Sequence, residues 1–359
     1  MARPTKAHID LDALRHNYSL ACQLAPGAQS IAVIKANAYG HGAIECGKAL
    51  ESMAPALAVA CIEEAMELRS AGVNKPILLL EGPFSPEEIS VAEQHNFWLM
   101  LSNQKQVDWI AEAQCQQPLT VWLKADSGMH RLGFQGEAFG RAYQQLRQLP
   151  HVHDEIVLAS HFAAADEVDN GFTRQQIANF RDMIPDQSAP ISLSNSAGVL
   201  AWQDSHGQWN RPGYMLYGNT PLDQQHSNAE PLQPVMQLVS EVIAIHQVPK
   251  GDSVGYGCSW TAERDSVIAT VAIGYGDGYP RQAPSGTPVL INGQTAPLAG
   301  RVSMDMITVD VTDIGSVTIG DPVELWGRNV CVNQIAQLCG TIGYELLTRM
   351  PLRTPRIYS

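Results

Sequence analysis

The 359-residue sequence predicts an α/β protein, a (β/α)8 TIM-like barrel followed by a mainly antiparallel β domain. Up to about residue 220, short apolar runs alternate with segments whose apolar residues have helical spacing. After about residue 230, strand-like runs are separated only by stretches rich in Gly, Pro and Asp. The length also favours two domains. We therefore expect domains over residues 1–230 and 231–359, with residues 1–10 able to pack with the second.

The predicted barrel has a full set of strand candidates. They are Ile31–Ile34, Leu57–Ala60, Pro76–Leu80, Phe97–Leu101, Leu119–Leu123, Ile156–Ala159, Ile191–Leu193 and Arg211–Tyr217. The last is a poor strand sequence, because Pro212 and Gly213 lie within it. An open doubly wound sheet is the alternative. It is less favoured because no Gly-x-Gly-x-x-Gly follows the first strand.

Helices are predicted between these strands by the spacing of apolar residues. One face is formed by Phe139, Ala142, Tyr143 and Leu146. A second helix contains Val107, Ile110 and Ala111, and a third contains Ile62, Ala65 and Met66. Ser102 or Asn103 can cap the second helix, and Gly72 suits the position just beyond the end of the third.

The second domain is predicted from a different pattern. Its strand candidates are Val235–Val248, Ser266–Ile273, Pro288–Asn292, Met306–Val311 and Pro322–Trp326. Asn292 and Gly293 separate two strand-like segments, and this dipeptide is a strong signal for a type I′ hairpin turn. These features predict antiparallel pairing.

The composition excludes several classes of partner. The formal charge is −13 and the pI is about 5.2, which argues against binding to nucleic acid or an anionic membrane. No apolar run approaches the roughly 20 residues of a membrane span, and no signal peptide is expected. The 7 Cys lack Cys-x-x-Cys spacing, so we expect reduced thiols in a cytoplasmic protein. His151 and His153 lack a third ligand nearby in sequence, so no metal site is predicted.

Lys35 is the most informative residue for chemistry. It directly follows the apolar run that ends at Ile34. A Lys at the carboxyl end of a buried strand loses water, and this loss favours its neutral, nucleophilic amine. Such an amine can form a Schiff base with a substrate carbonyl or with pyridoxal phosphate. The alternative is a Lys whose stem is buried and whose ammonium reaches solvent.

Further polar residues lie where the predicted barrel strands end, which is where barrel enzymes carry their catalytic groups. They are Lys124, Asp126, Arg131 in the loop that follows, His161, Asn195 and Ser196. Arg211 opens the predicted eighth strand, next to Gly213, and is expected at the same mouth of the barrel. Taken singly, Lys124 and Asp126 could form an internal ion pair, and His161 could be a core histidine. Ser196 with backbone N–H groups near Gly213 and Tyr214 would suit a phosphate after the seventh and eighth strands.

Several motifs in the same order resemble those of bacterial alanine racemases, the barrel-type pyridoxal phosphate enzymes. They occupy residues 32–42, 122–133, 211–218, 254–257, 273–279 and 300–305. The resemblance covers nearly the whole chain. It implies pyridoxal phosphate as cofactor, alanine as substrate and a homodimer with shared active sites. Lys35 would hold the cofactor and act as one base, and Tyr256 of the partner subunit would act as the other.

The resemblance also implies binding roles for the other residues. Arg131 would contact the substrate carboxylate and the cofactor, and Arg211 would face the pyridine nitrogen. Cofactor contacts are further expected from Tyr39, His161, Asn195, Ser196, Gly213 and Tyr214. Tyr275, Met304 and Asp305 would line the substrate entry of the partner subunit. Lys124 matches a position often carbamylated in this family. Leu352 is a departure, because many members have a Tyr there, and this puts strictness for alanine in question.

The expected function is racemisation of L- and D-alanine by two bases, for peptidoglycan precursors or for alanine breakdown. A broad-specificity or serine racemase of the same fold is the alternative. A barrel-type decarboxylase is less favoured, because Arg211 at the pyridine nitrogen would make the cofactor a weaker electron sink. A non-catalytic pyridoxal phosphate carrier is also less favoured, since such single-barrel proteins lack a second domain.

Overall fold

The computed structural model describes residues 3–359, which form two compact units. The barrel unit comprises residues 14–38 and 43–232. The sheet unit comprises residues 3–13, 39–42 and 233–359. Within the described part of the chain, no helix has the length and apolar character needed to cross a membrane.

The barrel unit is built on short parallel strands. They are Gln29–Ser30, Ala32–Val33, Leu57–Val59, Ile77–Leu79, Phe97–Leu101, Val121–Lys124, Val157–Ala159, Ile191–Ser192 and Trp209–Asn210. Seven of them pair in sequence order from Ala32–Val33 to Ile191–Ser192. Trp209–Asn210 pairs with Gln29–Ser30, and the Arg211 N–H donates to the Ser194 carbonyl at 2.9 Å. The last strand therefore contacts both ends of the row, which closes the predicted barrel.

The helices up to residue 232 alternate with these strands. They are Leu11–Leu24, Ala43–Leu50, Ile62–Ser70, Glu87–His95, Gln104–Glu112, Glu137–Arg147, Phe172–Met183 and Ser196–Ala201. The three helices predicted from apolar spacing are all present. Asn103 caps one of them by accepting from the Gln106 N–H at 3.1 Å. Gly72, with φ of 90°, lies just beyond the end of another.

The predicted eighth strand, Arg211–Tyr217, is wrong in its position. The strand ends at Asn210, and Tyr214–Tyr217 forms a 3-10 helix. Pro212 has no N–H to donate to a neighbouring strand. The N–H groups of Gly213 and Met215 donate instead to the Ser196 hydroxyl. A side-chain acceptor thus replaces strand pairing from this point.

Three tryptophans pack together in the barrel unit, and of these Trp122 is fully buried while Trp98 and Trp209 are half-buried. Trp98 and Trp122 lie on neighbouring strands, with ring centroids 6.4 Å apart. Trp209 packs against both, at 5.6 and 5.7 Å. The cluster therefore packs the last strand of the barrel unit against Phe97–Leu101 and Val121–Lys124.

The sheet unit is mostly antiparallel. Its strands are Lys6–Ile9, Met236–Val248, Ser253–Val254, Trp260–Thr261, Ser266–Val271, Pro288–Ile291, Gln294–Pro297, Ile307–Asp310, Pro322–Trp326 and Arg356–Tyr358. The long strand Met236–Val248 pairs with three others. Asn292 and Gly293 have φ of 49° and 76° and join two paired strands, which confirms the predicted hairpin turn.

Some elements of the sheet unit have weak sequence signals. Lys6–Ile9 lies between Met236–Val248 and Arg356–Tyr358 in the sheet, and neither short strand was among the predicted ones. Two short helices, Val332–Leu338 and Gly343–Thr348, were not predicted either. The fold class is nevertheless the predicted one, a barrel followed by a mainly antiparallel β region.

Candidate active site

Lys35 begins an unusual segment of backbone. The four residues that follow it all have positive φ: Ala36 (51°), Asn37 (54°), Ala38 (52°) and Tyr39 (51°). Left-handed conformations cost residues other than glycine about 1–2 kcal/mol each. The segment is therefore strained, and the structure around it must hold it in place.

Hydrogen bonds within the barrel unit hold part of this left-handed turn. The Ala38 N–H donates to the Ile34 carbonyl at 2.9 Å. The Asn37 side chain accepts from the Ala43 N–H at 2.7 Å, where the helix Ala43–Leu50 begins. These bonds fix the turn between the first barrel strand and the next helix.

The pKa of Lys35 lies below its ordinary value. Burial is the main cause, and the positive charge of Arg131 acts in the same direction. The carboxylates of Glu81 and Glu64 oppose this effect. The balance leaves more of the amine neutral than at the surface, as a nucleophilic Lys requires.

Two further groups in the barrel unit are affected by burial and by nearby cations. Burial lowers the pKa of Lys124 to about 8, and the charges of Arg211, Arg131 and Lys35 contribute. The pKa of His161 is lowered strongly, first by burial and then by the charge of Arg211. Like charges gathered in one place favour an anionic ligand.

Asp126 organises the loop that carries Arg131. Its carboxylate accepts from the N–H groups of Gly128 and His130, both at 3.0 Å. It also accepts from Gln135 Nε2 at 2.8 Å and pairs with His130 Nδ1 at 3.0 Å. Asp126 therefore binds its own loop, and the alternative of an ion pair with Lys124 is not observed. Arg131 is exposed and lines a narrow cleft with Lys124, Ser160 and His161.

Arg211 is a buried cation whose acceptors are all neutral. Its Nη1 donates to the Ser192 carbonyl at 2.8 Å and to the Ser192 hydroxyl at 2.6 Å. Its Nη2 donates to the Ser160 carbonyl at 2.6 Å. Burial lowers the pKa of Arg211 to about 10, so the guanidinium stays protonated at neutral pH. A buried charge held without a carboxylate points to a functional role.

Ser196 receives two backbone hydrogen bonds. Gly213 N donates to Ser196 Oγ at 2.9 Å, and Met215 N donates at 3.2 Å. Both lone pairs of the hydroxyl oxygen are thereby used, and its hydrogen remains to donate to an acceptor such as a phosphate oxygen. Tyr214, which the sequence analysis placed with Gly213 at the phosphate site, is buried. The second backbone donor to Ser196 is Met215, which was not predicted.

Asn195 has a structural task in this region. Its side chain accepts from the Gly198 N–H at 3.0 Å and caps the helix Ser196–Ala201. The cap fixes the first residue of that helix, Ser196. A direct contact between Asn195 and a cofactor stays a prediction.

The remaining predicted residues belong to the sheet unit. Tyr39 is buried, and its ring centroid lies 6.1 Å from that of Tyr344. Tyr256 is 67% exposed, in a short 3-10 turn flanked by Gly255. Leu352 is 91% exposed. The role of Tyr256 as a base supplied by the partner subunit stays a prediction.

Tyr275 and Met304 lie on two loops that are joined by backbone hydrogen bonds. The Tyr275 N–H donates to the Ser303 carbonyl at 3.0 Å, and the Gly276 N–H donates to the Met304 carbonyl at 2.8 Å. The side chains of Tyr275 and Met304 are 41% and 53% exposed. The structure therefore brings these two predicted entry residues together.

A charge network that the sequence did not predict holds the same loops. Asp277 is 1% exposed and pairs with Arg3 at 2.6 Å and with Arg353 at 3.0 Å. Arg353 also pairs with Asp305, and the Gly274 N–H donates to Asp277 at 3.0 Å. Sequence reasoning missed Asp277 and Arg353 because their partners are distant along the chain.

Pyridoxal phosphate fits the residues of the barrel unit. Lys35 supplies an amine with a lowered pKa, and Ser196 supplies a hydroxyl hydrogen for a phosphate oxygen. The Nη1 and Nη2 atoms of Arg211 donate to Ser192 and Ser160, and its Nε–H is the donor that a pyridine nitrogen could accept from. Among residues 3–359 no three His, Cys, Asp or Glu side chains lie close enough to hold a metal ion.

Comparisons with known proteins identify a family for both parts of the chain. Residues 9–221 match the model of the alanine racemase N-terminal domain, and residues 235–358 match that of the C-terminal domain. The chain is 49% identical to an alanine racemase of Chromohalobacter salexigens, covering 100% of this chain and 98% of the relative. It is also 49% identical to a catabolic alanine racemase of Pseudomonas putida, covering 99% of each.

A solved structure gives the same result. The crystal structure of the biosynthetic alanine racemase from Pseudomonas aeruginosa aligns with a TM-score of 0.95 and 49% identity, covering 99% of each chain. Both halves of the sequence and the whole fold thus match one family. The chain belongs to the alanine racemase family.

Proposed function

We propose that this protein interconverts L- and D-alanine with pyridoxal phosphate. The observation that supports this most directly is the buried Arg211, whose hydrogen-bond acceptors are all neutral. When bound, pyridoxal phosphate withdraws electrons from the amino-acid Cα and makes its C–H bond acidic. The protein must then remove the proton from one face of Cα and return one to the other.

Lys35 and Tyr256 are the proposed bases. Lys35 is half-buried with a lowered pKa, which leaves more of its amine neutral and able to take a proton. Tyr256 is exposed on the chain, and we propose that Tyr256 of the partner subunit serves the opposite face. Two bases on opposite faces let the substrate stay in place while its configuration inverts.

The arginines have different proposed tasks. Arg131 lies in the loop held by Asp126, where its guanidinium can bind the substrate carboxylate. Arg211 stays protonated at neutral pH, so it cannot accept a proton. It also would not transfer a proton to the pyridine nitrogen of a bound cofactor, so that nitrogen would stay unprotonated. By staying protonated, Arg211 would leave the ring of a bound cofactor a weaker electron sink, which would favour return of the proton to Cα over side reactions.

A complementation experiment tests both bases and their arrangement. Lys35→Ala and Tyr256→Phe should each lose nearly all activity on L-alanine in a chiral assay. If sites are shared, unfolding and refolding the two variants together should restore about a quarter of wild-type activity, because half the dimers have one intact site. Mixing that restores nothing would contradict sharing, and an active Lys35→Ala would contradict the proposed chemistry.

Substrate breadth and cellular role belong to the same proposal. Leu352, which is 91% exposed, stands where many members have a Tyr, so a broad-specificity or serine racemase is the second candidate. Comparing kcat/KM for alanine, serine and larger amino acids separates the two.

Relatives named as catabolic and as biosynthetic are both 49% identical, so similarity favours neither D-alanine supply nor alanine breakdown. We also propose a cytoplasmic location, which the free cysteines support.

A further inference from the structure

Glu64 links the left-handed turn after Lys35 to the next strand of the barrel unit. Its Oε1 accepts from the Ala36 N–H at 2.6 Å. Its Oε2 accepts from the Ala60 N–H at 2.8 Å. Ala60 directly follows the strand Leu57–Val59. One carboxylate therefore ties the residue after Lys35 to the end of the neighbouring strand.

The side chain and its place suit this task. Each carboxylate oxygen can accept a backbone N–H, and hydrogen bonds to a charged acceptor are stronger than neutral ones. Glu64 lies in the first turn of the helix Ile62–Ser70, where the helix dipole favours a negative charge. Its neighbour Glu63 shares that turn but is exposed. Glu63 is thus a matched control with the same charge.

We infer that Glu64 is a positioning residue for Lys35. Glu64 holds the strained turn Ala36–Tyr39 and thereby fixes the direction of the Lys35 amine. The inference rests on the proposed function, because it takes Lys35 as the residue that holds the cofactor. Glu64 acts through the backbone of Ala36 and has no assigned contact with cofactor or substrate.

Glu64 also contributes to the charge around Lys35. The carboxylates of Glu81 and Glu64 raise the pKa of Lys35, against burial and the charge of Arg131. Lys124 and His161 also interact electrostatically with Lys35. Removing the Glu64 charge should therefore lower the pKa of Lys35 further. A residue with a structural role alone would leave this pKa unchanged.

Hydrogen exchange tests whether Glu64 holds the turn. Glutamine has one acceptor oxygen, so Glu64→Gln can keep only one of the two backbone hydrogen bonds. In the full chain, amides of the peptide covering residues 35–43 should exchange about tenfold faster in Glu64→Gln than in wild type. Glu63→Gln should exchange at the wild-type rate. Equal exchange in Glu64→Gln and wild type would overturn the inference.

A second measurement tests the effect on the amine itself. The full chain is freed of cofactor, and the rate at which Lys35 attaches added pyridoxal phosphate is followed against pH by absorbance. For Glu64→Gln we expect the midpoint to move to lower pH, because a carboxylate that raises the pKa of Lys35 has been removed. We also expect the limiting rate to fall about tenfold, because the amine is less well directed. A midpoint and a limiting rate both equal to those of wild type would overturn the inference.

The two failures can be told apart. A wild-type chain that does not attach pyridoxal phosphate at Lys35 refutes the proposed function, whatever the variants do. Attachment by wild type with unchanged behaviour in Glu64→Gln refutes only the role of Glu64. Glu64→Gln could instead unfold at lower temperature while its hydrogen exchange and its pH midpoint stay at the wild-type values. That result would show that Glu64 has a structural role alone, and it would also overturn the inference.

Discussion

The loop held by Asp126 allows a quantitative prediction about stability and substrate binding. Asp126→Asn keeps the shape of the side chain but leaves one acceptor oxygen in place of two. That oxygen can still accept from the N–H groups of Gly128 and His130. The new amide nitrogen would face Gln135 Nε2, another donor, at a site where the carboxylate now accepts at 2.8 Å. The variant therefore loses hydrogen bonds and gains a clash between donors.

The expected size follows from the pKa of Asp126. Burial alone would raise this pKa, but hydrogen bonds from Gln135, His130 and Gly128 outweigh burial and lower it from 3.8 to about 2. Each pH unit corresponds to about 1.4 kcal/mol, so the bonds contribute about 2 kcal/mol at neutral pH. Because the folded pKa is depressed, this stability is present above about pH 4 and is lost as pH falls toward 2.

Urea unfolding at pH 7 measures the effect. We expect Asp126→Asn to lower the free energy of unfolding by about 2 kcal/mol and to raise KM for alanine, because the same loop positions Arg131. Glu137→Gln is the control, because that carboxylate is exposed and pairs only with Arg141. Equal unfolding free energies and equal KM values for wild type and Asp126→Asn would refute the reasoning.

Three other predictions concern backbone and site. In urea unfolding, Gly40→Ala should lower the free energy of unfolding far more than Gly72→Ala. A Cβ at residue 40 would lie 1.9 Å from the Leu347 carbonyl oxygen. Gly72 is the control, because it has a similar φ and open space for a Cβ. Ser196→Ala should weaken pyridoxal phosphate binding about tenfold and leave binding of unphosphorylated pyridoxal unchanged, as measured by absorbance titration. Lys124, with a pKa of about 8, should be mostly neutral at pH 9 and mostly charged at pH 7. Its carbamylation by labelled bicarbonate, followed by carbon NMR, should rise over that range, and a flat profile would contradict the lowered pKa.

Local patterns made much of the barrel unit predictable. The helix Glu137–Arg147 has four apolar residues at helical spacing, and all four are buried. The Asn292–Gly293 turn is likewise a local signal, because both residues readily adopt positive φ. Lys35 and Ser196 were identified from their places directly after predicted strands. Arg211 was identified at the start of the predicted eighth strand, whereas in the structure it directly follows a strand. Periodicity and turn chemistry thus sufficed where neighbours in sequence determine the structure.

Other features depend on contacts that no local pattern contains. The eighth strand stops early because the Ser196 hydroxyl accepts the N–H groups that a strand would share. The left-handed turn after Lys35 contains no glycine before Gly40, so its positive φ values have no sequence signal. Asp277 meets Arg3 and Arg353 from opposite ends of the chain. Each of these arises from tertiary contacts.

The place of the strand Lys6–Ile9 has a consequence for synthesis on the ribosome. It is translated before both of its partners in the sheet, Met236–Val248 and Arg356–Tyr358. The nascent chain therefore carries an unpaired strand while more than 200 residues are translated. Unpaired strand edges invite association with other chains. A pause in translation before residue 236 should then increase aggregation more than a pause after both partner strands have been translated.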